Sequence, residues 1–286
     1  LYLFGNKDQK ERYLTPALKG KLLGALATTE PDVGSDVGAM KTSAKKVPGG
    51  FVVKGTKQFI TNAEIADFIV VFAQTDLLGG NKTLIALIVD TTSKGFEITA
   101  RFEKMGIHAS VTNSFSLDDV FVPDANVLGE PGQGFKMVMQ IFNNSRITIG
   151  GACVGFIRRA IDEAVSFSKN RFLFGEYLWQ KQNTLIQLAK MEASRFVVES
   201  MVYQGAWMVE RGLDVRNVAA AIKYWGPELA FNAVDASLQL HGGAGYVKDS
   251  PIERFFRDAR IFRLFEGTSE VQLLTIGKEL VKKEFL

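Results

Sequence analysis

Between about residues 23 and 125, apolar and polar positions alternate over short runs; from 135 onward, apolar positions recur every three or four residues. The two-residue period belongs to half-buried strands and the 3.6-residue period to amphipathic helices. The first stretch predicts strands at 22–29, 51–61, 67–75, 82–89, 96–102 and 114–122, separated by Pro48-Gly49-Gly50, Gly79-Gly80-Asn81 and similar turn clusters. Strands at that spacing with no helix between them argue for a compact β-barrel or sandwich. After Gly129-Glu130-Pro131-Gly132-Gln133-Gly134, helices are expected at 135–169, 182–211, 214–240 and 250–259, with a last one from 269. Three long helices and a shorter C-terminal one suggest an antiparallel four-helix bundle, in which Gly150, Gly151 and Gly155 would let a neighbouring helix pack closely. Residues 1–20 read as the end of a preceding helical region, with a short amphipathic turn starting at Asn6 and interrupted by Pro16. The expected fold class is α+β and multidomain: 1–22 ending an N-terminal helical domain, 23–130 a middle β-domain, 131–286 the helical bundle.

Composition removes several kinds of chemistry. At 286 residues the chain is long enough for two domains, and its net charge of +3 is too small to argue for nucleic acid or an anionic membrane. No apolar run reaches the roughly 18 residues of a membrane span. The single cysteine, Cys153, excludes an internal disulfide framework, fits a reducing compartment, and sits on an apolar helix face unsuited to a nucleophile. The only histidines, His108 and His241, are far apart in sequence, so a zinc or iron centre is not expected. A G-x-S-x-G elbow, a phosphate-binding P-loop and a strand-linked G-x-G-x-x-G are all missing. The chain opens at Leu1-Tyr2-Leu3 without Met or a signal-like stretch, and reads as a fragment or processed chain.

Four local patterns carry possible chemistry. In Leu264-Phe265-Glu266-Gly267-Thr268-Ser269 one carboxylate stands beside bulky apolar neighbours, a glycine follows, and Thr-Ser starts a helix. Such a turn can aim Glu266 into a dry pocket, where desolvation raises a carboxylate's pKa toward general-base range; the same residue also reads as an ordinary loop acid. The loop from Thr28 to Asp36 could present hydroxyls and N–H groups to a phosphate or heterocycle edge, or be a plain turn. Phe59 and Thr61 share a strand face, so one flat ligand could meet both, as could a half-buried strand's ordinary neighbours. Arg171, after a long helix, suits a pyrophosphate or simply the helix dipole. Arg254, Arg257, Arg260 and Arg263 recur every three residues, but Glu253 and Asp258 interleave, which favours a salt-bridged face or subunit contact over a nucleic-acid groove.

Taken in order, the T-E-P-x-x-G-S-D loop at 29–36, aromatic-I-T-N at 59–62, R-x-x-F-G at 171–175, Q-L-H-G-G-x-G-Y at 239–246 and aromatic-E-G-T-S at 265–269 resemble the acyl-CoA dehydrogenase family of flavoenzymes. The resemblance runs the length of the chain. It implies an N-terminal helical domain, a middle β-domain and a C-terminal four-helix bundle, with most of the first absent from this sequence. It implies FAD-dependent α,β-dehydrogenation of an acyl-CoA to the 2,3-enoyl-CoA, with Glu266 the base for the α-proton and the flavin N5 the hydride acceptor. Leu26, Ala27, Thr28, Thr29, Ser35, Phe59, Ile60 and Thr61 would then line the flavin. Arg171, Phe174, Gln182, Gln239, Leu240, His241, Gly242 and Gly243 would hold its ADP part across a dimer interface, and Thr268, Ser269 and Glu270 would also touch FAD. Ser35, Asn143, Asn144, Ser145, Arg146 and Gly267 would meet the acyl-CoA, and the backbone N–H of Glu266 would polarise its carbonyl. No metal is implied. An electron-transferring flavoprotein is the implied partner, a homodimer or homotetramer the implied assembly, and the cytoplasm or mitochondrial matrix the implied compartment. An oxidase using oxygen, or a non-catalytic partner-dependent subunit, are the alternatives. Some relatives carry the base just before the arginine matched by Arg146; Ser145 stands there here, leaving Glu266 as the acid. Asp32 and Phe265 replace a frequent glycine and tyrosine, and the Thr29–Asp32 and His108–Ser110 segments resemble glutaryl-CoA and cyclic acyl-CoA dehydrogenases.

Overall fold

A computed structural model describes residues 1–75 and 83–282 and separates the chain into two units: Leu1–Lys104 with His108–Gln140, and Met105–Ile107 with Ile141–Leu286. The turn cluster Gly79-Gly80-Asn81 and the first residue of the strand expected at 82–89 lie outside the described residues.

The first unit is built on one eight-stranded sheet. Its strands are β1 (Gly24–Ala27), β2 (Ser43–Val47), β3 (Gly50–Thr61), β4 (Phe68–Thr75), β5 (Thr83–Asp90), β6 (Phe96–Arg101), β7 (Thr112–Pro123) and β8 (Val127–Leu128). The spatial order is β6-β7-β3-β2-β4-β5-β8, with β1 paired parallel to β4. Phe51, Val53, Phe115 and Leu117 from β3 and β7 share one core with Val71, Ile85 and Leu87 from β4 and β5, so a single sheet curls around a single interior. β2, which alternation did not predict, carries Lys45 and Lys46 and owes its place to the ladder with β3, entered through a tight turn at Gly49 (φ 80°). β4 is buried on both faces, and short helical turns precede it in the chain, α1 (Lys7–Gln9), a π turn (Lys10–Leu14) and α2 (Thr15–Leu18), of which the π turn meets its first residue. Tyr13 packs its ring 4.9 Å from that of Phe68 and donates its hydroxyl to Asp90 (3.1 Å), while the buried Gln9 amide donates to the carbonyls of Ala125 and Val127 (2.9 and 2.7 Å).

The second unit contains α3 (Gly134–Asn170) from Ile141 onward, α4 (Gln182–Glu210), α5 (Arg216–His241), α6 (Pro251–Ala259) and α7 (Ser269–Lys282), each helix within two residues of the boundaries expected from periodicity. Between α3 and α4 the two-residue strands β9 (Phe172–Leu173) and β10 (Glu176–Tyr177) form a hairpin. Cys153, Ile157 and Ala160 of α3, Met191 and Val198 of α4, Ala230 and Val234 of α5, and Ile252 of α6 make the core. Gly150 does permit a close approach, since a Cβ there would stand 2.3 Å from Ile222 Cγ2. Gly151 and Gly155 do not: both face open space, correcting the expectation that all three serve packing.

Candidate functional site

After α6 the chain makes a short 3₁₀ turn (Arg260–Arg263), then a sharp reversal at Glu266 (φ 55°) and Gly267 (φ 90°) before the Thr268 hydroxyl caps α7 by accepting from Val271 N–H (3.4 Å). A left-handed conformation costs a non-glycine residue roughly 1–3 kcal/mol, and it persists only where surrounding contacts impose it. Three donors from three helices impose it here. Arg146 Nε of α3 reaches the Glu266 carbonyl at 3.3 Å. Gln272 Nε2 of α7 reaches the carbonyls of Glu266 and Gly267 at 3.4 and 2.9 Å. Lys223 Nζ of α5 reaches those of Phe262 and Gly267 at 2.6 and 3.2 Å. Glycine suits 267 because of its φ, and a Cβ there would also fall 2.5 Å from the Gln272 amide and force that side chain to shift. The Glu266 side chain is half-buried, and its carboxylate accepts the hydroxyl of Ser145. Ser145, the residue just before Arg146, thus lies against Glu266 itself. Arg146, expected along the acyl-CoA, is buried, and its guanidinium is engaged with Asn143 Oδ1 (3.1 Å) and the Glu266 turn. Asn144 stays half-exposed beside it.

Burial sets the electrostatics around this turn. It pushes the Lys223 ammonium down to about 8, against the attraction of Cys153, Glu266 and Glu228 and with the repulsion of Arg146. It pushes the Cys153 thiol up to about 12 despite Lys223 nearby, so Cys153 is an inert core residue. Ser269 is buried and donates its hydroxyl to Glu228 (2.9 Å), which also pairs with Arg263 (2.5 Å); the Ser269 side chain is therefore engaged within the protein, while Glu270 is exposed. Of the other arginines in that run, Arg257 pairs with Glu253 (2.7 Å), while Arg254 lies 5.5 Å from the ring of Phe255, so two of the four, Arg257 and Arg263, are salt-bridged.

In the first unit, the loop and the aromatic motif meet directly: Gln58 N–H donates to the Thr29 carbonyl (2.9 Å), and Lys57 Nζ to the Thr28 carbonyl (3.2 Å) and to Glu30 (2.9 Å). Lys57 and Glu30 are both buried. Burial alone would raise the Glu30 carboxyl, but Lys57 and the Thr42 and Lys41 N–H groups hold it below its ordinary value. A register shift between Lys57 and Ile60 marks a bulge, with Phe59 left-handed at φ 57°. Phe59 and Thr61 share a face as expected, but the bulge turns it outward: Phe59 is 58% exposed, Thr61 is exposed and Ile60 is buried. Leu26 is partly exposed, as are the Thr28, Thr29 and Ser35 positions, whereas Ala27 is buried and would meet a ligand only through its backbone.

Arg171 does not end α3 as a simple dipole partner. It opens the β9–β10 hairpin, with Leu178 N–H bonded to its carbonyl (2.8 Å) and Phe174 (φ 51°) and Gly175 (φ 83°) forming the turn. Phe174 is 90% exposed, and Gln182 begins α4 beyond the hairpin. His241 stacks on Phe167 at 4.4 Å, and the Phe167 carbonyl accepts Arg171 N–H (3.0 Å), so the R-x-x-F-G and Q-L-H-G-G motifs gather at one end of the helical unit. Gln239 is exposed and Leu240 half-buried there; Gly242, at φ 57° and ψ −141°, caps α5 in a conformation closed to other residues, and Gly243 faces open space.

The outward Phe59, its ring 4.8 Å from that of Phe102, and the exposed Leu26 and hydroxyl positions of the same unit suit a flat heterocycle with a polar edge, and the exposed cation, amides and glycines at the hairpin end suit a diphosphate and sugar. Among the described residues no group of three or more His, Cys, Asp or Glu could hold a metal ion. A carboxylate fixed on a strained turn, in a chain that also carries exposed aromatic and hydroxyl positions, is compatible with proton abstraction assisted by a flat cofactor. Residues 25–120 match the family model for the acyl-CoA dehydrogenase middle domain, and residues 132–281 match that for the acyl-CoA dehydrogenase C-terminal domain. The short-chain-specific acyl-CoA dehydrogenase of Clostridium acetobutylicum is 37% identical over 278 residues, 97% of this chain and 73% of that protein. The caffeyl-CoA reductase-Etf complex subunit of Acetobacterium woodii is 34% identical over 99% of this chain and 75% of its own length. The solved butyryl-CoA dehydrogenase from Megasphaera elsdenii superposes with a TM-score of 0.95 at 36% identity, covering 98% of this chain and 74% of that one. The chain belongs to the acyl-CoA dehydrogenase family, flavoproteins that bind FAD and oxidise acyl-CoA thioesters.

Lys223, Gln272 and the Lys57–Glu30 pair escaped the sequence reading. Their signal was a charged residue at a core position of the local period: Lys223 on the stripe of Ala219, Ile222, Gly226 and Ala230, and Lys57 in phase with Phe51 and Val53.

Proposed function

We propose that this chain dehydrogenates a short acyl-CoA, with Glu266 removing the α-proton. Bound FAD supplies the acceptor for the β-hydride. An α C–H of a thioester is a weak acid, so a positioned base, worth about 10²–10⁴ in rate, must act together with donors that stabilise the developing charge on the carbonyl. Among the described residues the backbone N–H of Glu266 has no hydrogen-bond partner, which leaves it free for that carbonyl. The Ser145 hydroxyl orients the carboxylate, and Asn143, Asn144 and Gly267, each half-exposed, would meet the substrate. Leu26, Phe59 and the hydroxyls of Thr28, Thr29, Ser35 and Thr61 would hold the ring system of FAD. Arg171, Phe174, Gln182 and Gln239–Gly243 would hold its ADP part, with Thr268 to Glu270 contributing by backbone.

The observation that carries this reading is the carboxylate of Glu266 on a left-handed turn clamped by three helices. The short-chain and butyryl-CoA relatives support the substrate class, and the Etf-linked relative supports an electron-transferring flavoprotein as acceptor. No helix among the described residues is long and apolar enough to cross a membrane; the cytoplasm or mitochondrial matrix fits the one buried thiol. In the test, butyryl-CoA added anaerobically bleaches the flavin of the wild-type protein, and Glu266→Gln keeps the flavin spectrum but loses the bleaching. A Glu266→Gln protein that still bleaches overturns the assigned base.

A further inference from the structure

Lys223 is wholly buried on α5, and among the described residues no carboxylate pairs with it. A buried ammonium is costly unless its donors are met, and the usual remedy is a salt bridge. Here the donors go to main chain instead, to Phe262 O at 2.6 Å and Gly267 O at 3.2 Å, with the Phe265 ring centroid 5.8 Å away. Those acceptors lie on either side of Glu266 in the chain. Arg146 and Gln272 also hold the turn, but they reach only the carbonyls of Glu266 and Gly267. Lys223 alone ties the residue that enters the turn to the residue that leaves it.

Resting on the assignment of Glu266 as base, we propose that Lys223 is a positioning residue, whose two hydrogen bonds lock the Phe262–Gly267 segment so that the Glu266 carboxylate keeps its direction. It touches neither substrate nor cofactor. Its loss should leave binding intact and slow the proton transfer, because a displacement of about 1 Å at a reacting group costs on the order of a hundredfold in rate.

The test uses the FAD-loaded protein. Lys223→Met preserves length and removes the donors; Lys223→Gln restores part of the donor function. The expected result is that Lys223→Met retains the flavin spectrum and the KM for butyryl-CoA, while kcat and the exchange of substrate α-protons into deuterated water both fall about a hundredfold, and that Lys223→Gln recovers part of the loss. A crystal structure of Lys223→Met should show Glu266 moved out of its left-handed conformation. Wild-type kcat in Lys223→Met, or an effect confined to KM, overturns the proposal. Should Lys223→Met fail to fold, ¹⁵Nζ-lysine spectra of the wild-type protein decide. A slowly exchanging, hydrogen-bonded ammonium supports the lock, and a freely exchanging one overturns it. Glu266→Gln run alongside separates the two assignments: if that variant is inactive while Lys223→Met is normal, the base stands and only the lock fails.

Discussion

Phe59, Asn62, Phe174 and Glu266 are four of the six non-glycine residues with positive φ among the described residues, and all four fall inside the motifs that suggested a site. Local strain of this kind survives where neighbouring contacts over-determine it, which is the condition of a side chain that must point one way. At Glu266 the contacts include an ammonium whose proton is itself labile, since burial brings Lys223 to about 8 with Cys153, Glu266, Glu228 and Arg146 as its charged or titratable neighbours. The neutral amine keeps two N–H donors, enough for the carbonyls of Phe262 and Gly267, but donates more weakly than the ammonium. Flavin reduction should therefore decline only modestly above about pH 8, and Lys223→Met should lack that limb. Stability moves the other way. The folded pKa lies below the ordinary 10.5, so between the two values the unfolded chain holds more protons and rising pH favours the folded state through this group. A pH–rate profile recorded with melting temperatures would separate the effects: falling rate with no falling Tm reports the turn, and parallel falls would instead report unfolding.

At the scale of elements, β3 shows how one irregularity re-aims a strand. Phe51, Val53 and Lys57 point inward in phase; the bulge before Ile60 then shifts the parity and delivers Phe59 and Thr61 to the outside. The same strand carries the buried Lys57, which holds Glu30 and through it the Thr28–Glu30 loop. Lys57→Met should cost about 3–5 kcal/mol in urea unfolding by stranding a buried carboxylate, and adding Glu30→Gln should return most of it; equal stability of the single variant and the wild type would show that the pair is dispensable. Because Glu30 is held below its ordinary pKa, its contribution is present above the unfolded value of 4.5 and is lost as pH falls through the folded one. α5 makes a complementary point: it runs unbroken through Gly226 and Pro227, both buried, because packing at the core outweighs their poor helix propensity.

At the scale of the whole molecule, the helical unit leaves much apolar surface uncovered. Phe196, Tyr203 and Trp207 on α4 are 66, 71 and 50% exposed, and Leu274 and Val281 on α7 are 61 and 85% exposed. Faces of this size favour association, so light scattering should return a mass of two or four chains, and Leu274→Glu with Val281→Glu should reduce it without loss of helix content; a wild-type monomer would refute the expected assembly.

Periodicity alone determined the order of strands then helices, and the identity of a few residues determined the family, because both are local properties that survive in one dimension. The motifs carried Glu266, Phe59 and Arg171 for the same reason. The tertiary structure decided the curling of one sheet around one core, the two-residue hairpin at Arg171, the outward turn of Phe59 and the company of Glu266. Those depend on which neighbours arrive from distant segments. Lys223 and Lys57 make the difference plain: in sequence they are two of 34 basic residues, and only burial, which raises the cost of an unmet donor, makes each of them hold a particular carbonyl in place.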